Sequence, residues 1–293
     1  TDVGRVRDHN EDNFLVDKKL RLFMVADGMG GHAAGEVASA LAAKVVRAHW
    51  TSDHIQRLGE AWASLGTASS RRELLNALRD GVQQAHDAIL AAAKADEKKR
   101  GMGTTFVGVS IVGSDAIFAQ SGDSRAYLVR EGQALQLTED HTLLSRLLAA
   151  GIDVDVAGDG ARFKSMLTNA LGVGDDPRTT TFVVPLTDGD RLMLCTDGVS
   201  EYVSEIEVGQ VLTQQPSPAR AAQKLVEMAL ERGGHDNATA VVLRVVEVGA
   251  NPRASMQLRR DESALSTCPL LANLNPQKRL RALRIAVERV LAV

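Results

Sequence analysis

The sequence predicts an α+β protein, and three observations carry that reading. Short apolar stretches broken by tight turns form a hairpin pattern before residue 27 and a longer strand series after residue 103. Between these blocks, two stretches keep the 3.6-residue period of helices buried along one face. A further helical stretch, framed by Ser217-Pro218 and Gly233-Gly234, precedes the last strand.

Taken in order, residues 1–13 are polar, and Arg7-Asp8-His9-Asn10-Glu11-Asp12 gathers three acids with an arginine and a histidine. That density reads as a solvated loop or as part of a site. Residues 14–16 and 20–26 flank Asp17-Lys18-Lys19 as a hairpin, which returns Glu11 and Asp12 towards Asp27. A helix is expected over 34–49, with Val37, Ala38, Leu41, Ala42, Val45 and Val46 on one face. Another is expected over 72–94 from Leu74, Leu75, Leu78, Val82, Ala85 and Ile89. Residues 51–70 between them have weak periodicity and read as a loop.

After Gly101-Met102-Gly103, strands are expected over 104–112, 115–120, 126–130 and 134–137 as a β-meander. A helix over 143–150 is closed by Gly151, and 151–163 reads as an exposed, mobile loop. Residues 182–185 and 191–194 read as a strand pair, 217–231 as a helix and 238–248 as the final strand. Residues 249–293 change in character. There Asn275-Pro276 starts a basic amphipathic helix, with Leu280, Leu283, Val287, Val290 and Leu291 as its apolar stripe. Packing back on the domain, or a lead into a further domain, is expected of it.

Composition narrows the function. With 44% hydrophobic and 24% charged residues among 293, the chain is that of a globular protein with a sizeable core. Aromatic residues are only 3%, so Ala, Val and Leu must build that core. The net charge of −3 argues against a nucleic-acid partner. Two cysteines give no disulfide framework, and a reducing, cytoplasmic location is expected. No apolar run has the length of a membrane span. Thr1 opens the chain without an initiator methionine and motif residues begin by Arg7, so a segment of a longer chain is expected.

The chemistry-bearing pattern is an acid at the end of an apolar element. It occurs at Glu11-Asp12, Asp27-Gly28, Asp197-Gly198 and His235-Asp236-Asn237, with Asp123 as a fifth case. One Asp-Gly is also a common turn dipeptide. A set of five points to a shared carboxylate cluster, which is tolerated mainly when hard cations neutralise it. Oxygen ligands without a cysteine cluster select Mg²⁺ or Mn²⁺. Two such ions lower the pKa of a water held between them and aim it at a phosphate ester. Arg7 then clamps the phosphate with its planar fork, or else forms a surface ion pair.

These segments resemble, in order, the motif series of the PP2C-type metal-dependent serine/threonine phosphatases, and most closely the bacterial branch. Besides those above, the matching motifs are Gly103-Thr104-Thr105, Ser121-Gly122-Asp123-Ser124-Arg125, Leu137-Thr138-Glu139-Asp140-His141 and Asp236-Asn237-Ala238-Thr239. The resemblance covers residues 1–248, leaving 249–293 as a tail. It implies an α-β-β-α sandwich of two antiparallel sheets flanked by helices, with a dinuclear site at one end. It implies that Asp27 bridges two Mn²⁺ or Mg²⁺ ions and that the Gly28 carbonyl ligates one of them. Asp197 and Asp236 would hold the other, Glu11 and Asp12 would act largely through water, and Asp123 would serve a third, weaker ion. Arg7 matches the phosphate-binding arginine, and 151–163 falls where the family carries a mobile flap.

The implied reaction is hydrolysis of phosphoserine and phosphothreonine in phosphorylated protein partners, substrates of a serine/threonine kinase. It proceeds by in-line attack of the metal-bridged water, without a phosphoenzyme. A silent phosphoprotein-binding module would be expected to have lost a ligand acid, and a nuclease to carry a basic stripe. Met29 stands where other members place a general-acid histidine. A thioether donates no proton, so either metal-bound water does so or His32 reaches in; His32 also has a structural reading. Asn169 stands where arginine is frequent, a change expected at surface contacts. Cys268-Pro269-Leu270-Leu271 and its continuation to Pro276 faintly resemble the lead-in to a cyclic-nucleotide-binding domain.

Overall fold

The first hairpin forms where the alternation of apolar residues puts it. In the computed structural model, β1 (Asn13–Asp17) and β2 (Leu22–Ala26) pair antiparallel, with Asn13 opposite Ala26. Asp17 Oδ1 closes the turn by accepting from the backbone N–H groups of Lys19 and Leu20, both at 3.1 Å. The structure describes residues 1–30, 34–65, 68–152, 154 and 159–248. His32 and the whole 249–293 tail therefore lie outside the described residues.

The chain continues through β3 (Gly28–Met29), α1 (Ala34–Trp50), α2 (Asp53–Leu65), α3 (Ala68–Ala95), β4 (Gly103–Thr104), β5 (Phe106–Val112) and β6 (Asp115–Ser121). It then forms β7 (Arg125–Arg130), β8 (Gln133–Gln136), α4 (Leu143–Ala149), α5 (Asp159–Lys164), β9 (Thr180–Pro185) and β10 (Arg191–Cys195). Last come α6 (Asp197–Ser200), α7 (Glu205–Gln214), α8 (Pro218–Glu231) and β11 (Ala240–Arg244). One sheet has the order β1-β2-β5-β6-β9, a second has β11-β10-β7-β8, and β3 pairs with β4. Every neighbouring pair is antiparallel.

Strand parity sorts the side chains into three apolar layers. Leu22, Met24 and Ala26 of β2 face outward and pack with α1, α2 and α3 through Ala38, Val46, Ile55, Leu74 and Ile89. Val25 faces the other way, into an inter-sheet layer with Val107, Phe118, Leu128, Phe182, Leu192 and Val241. The Phe118 and Phe182 rings stack there with centroids 5.0 Å apart, which adds about 0.5–1.5 kcal/mol beyond area burial. On the far side, Tyr127, Met193 and Cys195 pack against Val208 and Leu212 of α7 and Leu225 of α8. The architecture is the α-β-β-α sandwich.

Four local expectations change. The strands over 104–137 are not one meander, because β5 and β6 belong to the first sheet and β7 and β8 to the second. The crossing is made at Gly122, whose φ of +103° and close approach to the Thr105 side chain exclude an ordinary residue. Likewise β9 and β10 lie in different sheets rather than pairing with each other. Residues 53–65 are helical and not a loop. Their apolar stripe is sparse, but Ile55 and Trp62 are buried, and Trp62 Nε1 donates to Asp115 Oδ2 at 2.8 Å. The end of the 151–163 loop is the short helix α5, while residues 153 and 155–158 lie outside the described residues.

The periodicity argument also leaves 205–214 without an element, where α7 forms. Its start is a capping box: Ser204 Oγ accepts from Glu207 N at 3.5 Å and Glu207 Oε2 accepts from Ser204 N at 3.0 Å.

Candidate metal centre

The two sheets place the candidate acids at one end of the sandwich. Asp27 follows β2, where Ala26 is opposite Asn13, the residue after Asp12. Asp197 follows β10, where Cys195 lies opposite both Arg125 and Ala240. Asp123 therefore precedes β7 and Asp236 precedes β11 at that same end. Asp12 bridges the layers, since its Oδ2 accepts from Thr196 Oγ1 at 2.8 Å and from Thr239 Oγ1 at 2.6 Å.

The Asp27 backbone is fixed from both sides. Its N–H donates to Thr105 Oγ1 at 2.9 Å, and its carbonyl accepts from Thr105 N and Thr104 Oγ1, each at 2.9 Å. Thr105 Oγ1 is in turn 2.7 Å from Ser124 Oγ, beside Asp123. Gly28 and Gly198 are not in the left-handed region. They are needed for close approach: a Cβ on Gly28 would strike the Gly35 and Glu11 carbonyls, and one on Gly198 the Asn237 carbonyl. Met29 pairs with Gly103 in the β3-β4 ladder.

Asn237 ties the N-terminal loop to this end. Its Oδ1 accepts from Glu11 N at 2.8 Å, while Nδ2 donates to the Val3 and His9 carbonyls, each at 2.9 Å. Glu11 Oε1 accepts from Gly35 N at 3.2 Å, and the Glu11 carbonyl accepts from Ser39 Oγ at 2.7 Å. Arg7, half exposed, donates from Nη2 to Asp236 Oδ2 at 2.7 Å. Burial opposes the Arg7 charge, yet Asp236, Glu11 and Asp27 outweigh it and raise the guanidinium pKa.

Electrostatically the acids are in conflict. Burial is the largest cause holding Asp27 well above the carboxylate range, and the charges of Asp12, Asp197, Asp123 and Asp236 add to it. Asp12 is pushed up to about 7 by burial, against the two threonine hydroxyls. Asp123 is pushed up to about 7 by burial and by Asp197. Asp197 is raised by burial and by Asp236. Two buried carboxylate oxygens, Asp12 Oδ1 and Asp197 Oδ1, have no hydrogen-bond partner. Orphaned oxygens in a mutually repelling cluster fit hard divalent cations.

Among the described residues, no three His, Cys, Asp or Glu side chains converge as a ready-made metal cage. The structure nonetheless gathers Arg7, Glu11, Asp12, Asp27, Gly28, Asp123, Asp197 and Asp236 at one end of the fold.

Thr104, Thr105, Thr196, Thr239 and Asn237 have no assigned part in the sequence reading, although each is a donor-bearing residue beside an acid or in its motif. Asn169 is half-buried and reaches inward as well as to the surface. Its Nδ2 lies 2.8 Å from both Ser121 Oγ and His141 Nδ1, beneath the Asp123 turn.

The comparisons with known proteins agree with this fold. The sequence profile described as PP2C, protein phosphatase 2C, matches residues 5–238. The serine/threonine phosphatase stp of Listeria welshimeri is 36% identical over 267 residues, covering 90% of this chain and 98% of that protein. The crystal structure of the Mycobacterium tuberculosis serine/threonine phosphatase PstP/Ppp superposes with a TM-score of 0.71 at 33% identity, covering 84% of this chain and 96% of that one. The PstP catalytic domain in complex with two manganese ions superposes with a TM-score of 0.68 at 34% identity, over 84% and 96% of the chains. The chain belongs to the protein phosphatase 2C family of serine/threonine phosphatases.

Proposed function

We propose that this chain hydrolyses phosphoserine and phosphothreonine in kinase-modified proteins, using two Mn²⁺ or Mg²⁺ ions at the carboxylate cluster. The observation that carries the reading is the pair of buried, unpartnered oxygens, Asp12 Oδ1 and Asp197 Oδ1, among acids that raise each other's pKa. Asp27, the Gly28 carbonyl, Asp197 and Asp236 would hold the two ions. Glu11 and Asp12 would support them through water, and Asp123 would serve a third, weaker position. When bound, the ions supply Lewis acidity and a water of lowered pKa.

The protein's own groups supply positioning. Thr104 and Thr105 fix the Asp27 main chain, Asn237 fixes Glu11, and Arg7 orients the phosphate for in-line displacement without a phosphoenzyme. Met29 donates no proton. We assign the activity to residues 1–248, and place it in a reducing, cytoplasmic setting, in keeping with the free, buried Cys195. Among the described residues, no helix is long and apolar enough to cross a membrane.

The test is phosphate release from a phosphothreonine peptide in a Mn²⁺ titration. Release that rises with Mn²⁺ and stops with EDTA supports the reading. Peptide binding without release under every metal condition would contradict it.

A further inference from the structure

We propose that Asn169, acting through His141, is a positioning residue for Asp123, locking the turn that carries this acid onto the segment between α5 and β9. Asp123 sits where the chain crosses from one sheet to the other, so no strand pairing holds the turn itself. Besides the Ser124 contact with Thr105 and the bond from Gln120 Nε2 to the Gly122 carbonyl at 3.1 Å, its support comes from His141. The Gly122 carbonyl accepts from His141 N at 3.0 Å, and Gly122 N donates to His141 Nδ1 at 3.1 Å. Nδ1 is therefore an acceptor, and the imidazole must be held in that tautomer and orientation.

Asn169 does the holding. Its Oδ1 accepts from Arg178 N at 2.9 Å, which fixes which end of the amide is oxygen. Its Nδ2 lies 2.8 Å from the Arg178 carbonyl, from Ser121 Oγ and from His141 Nδ1. Two amide hydrogens thus face three acceptors. Thr168 N donates to the His141 carbonyl at 2.8 Å, so the backbone before Asn169 is tied to the same point. Residues 121–122, 141 and 168–169 form one network, and Asp123 is the next residue along it. Without the amide, His141 Nδ1 keeps a single donor and the Asp123 turn loses its side-chain tie to residues 165–178, while the backbone bond from Thr168 remains.

The consequence for ion binding rests on the metal reading above. The test is a double-mutant cycle in the full chain, comprising wild type, Asn169→Ala, Asp123→Asn and the double variant. Mn²⁺ binding is measured by calorimetry and the thermal midpoint in EDTA. Asn169→Ala is expected to weaken binding of one Mn²⁺ per chain at least about tenfold when Asp123 is present, and to change nothing further once Asp123 is Asn. The midpoint in EDTA is expected to drop equally in both backgrounds, which separates lost stability from lost positioning.

Should Asn169→Ala fail to fold, Asn169→Ser keeps one donor and one acceptor and enters the cycle with a smaller expected change. Unchanged Mn²⁺ binding, or equal weakening with and without Asp123, overturns the inference while leaving the metal reading intact. A wild-type chain that binds no Mn²⁺ overturns the metal reading, and the inference with it.

Discussion

Arg7 Nη2 donates to Asp236 Oδ2 at 2.7 Å, so the cation proposed to grip the phosphate is held by one of the acids proposed to grip a metal ion. The pairing keeps the guanidinium at the mouth of the cluster, where a phosphate can take over its N–H donors. Removing such a charge-assisted contact costs about 1.5–3 kcal/mol. Arg7→Ala is therefore expected to lower kcat/KM by roughly 10- to 100-fold, chiefly through KM. Arg7→Lys should recover little, because an ammonium lacks the planar fork. Steady-state kinetics on a phosphothreonine peptide check this, and a variant with unchanged KM would remove Arg7 from phosphate binding.

The carboxylates also set a pH dependence. Burial pushes Asp12 and Asp123 up to about 7, whereas both titrate near about 4 in an unfolded chain. Between those values the folded, metal-free protein binds more protons than the unfolded one, so its stability falls as pH rises through that window. The loss is on the order of 2–4 kcal/mol for the coupled acids. Ion binding needs the deprotonated forms, so stabilisation by Mn²⁺ grows as pH rises. Thermal melts in EDTA should drop from pH 5 to pH 8, with the Mn²⁺ increment largest at pH 8. The opposite slope in EDTA would mean that the acids are not in conflict.

Asn237 makes three bonds to the N-terminal loop. Asn237→Ala leaves buried partners unmet and is expected to destabilise the fold by about 2–4 kcal/mol. Asn237→Asp keeps the acceptor for Glu11 N but loses both donors and adds a charge to an acidic cluster, so it should not rescue. Urea unfolding of the two variants measures this directly.

Trp62 tests the helix that replaced an expected loop. Trp62→Phe keeps a ring against α3 but removes the bond to Asp115 Oδ2, leaving a half-buried carboxylate without that donor. A loss of about 1–3 kcal/mol is expected, with phosphatase activity unchanged at temperatures where the protein is folded. An unaltered unfolding midpoint would make α2 peripheral to stability.

How far the sequence could be read depended on the kind of signal. Short apolar runs bounded by turn residues, such as Leu22 to Ala26, declare a buried strand, and dense stripes, such as the one through Leu74, Leu78, Val82 and Ile89, declare a helix by period. The α2 stripe is carried by Ile55, Leu58 and Trp62 in an otherwise polar stretch, too sparse to stand out before its partner surface is known. Sheet membership was hidden, because β6 and β7 are separated by only three residues yet enter different sheets through Gly122. At the site, the acids were legible from their recurrence at strand ends. The hydroxyls and amides that hold them were not, since Thr196, Thr239 and Asn169 act across long sequence separations on partners that only the tertiary fold brings close.

The most direct test of the central claim, that Asp27 is shared between two ions, is Mn²⁺ binding and turnover of Asp27→Asn beside wild type. The substitution keeps volume and removes the charge that burial and the neighbouring acids oppose. The account predicts a folded chain that binds less Mn²⁺ and releases no phosphate from a phosphothreonine peptide at saturating metal. Near-normal turnover of Asp27→Asn with Mn²⁺ present would contradict it.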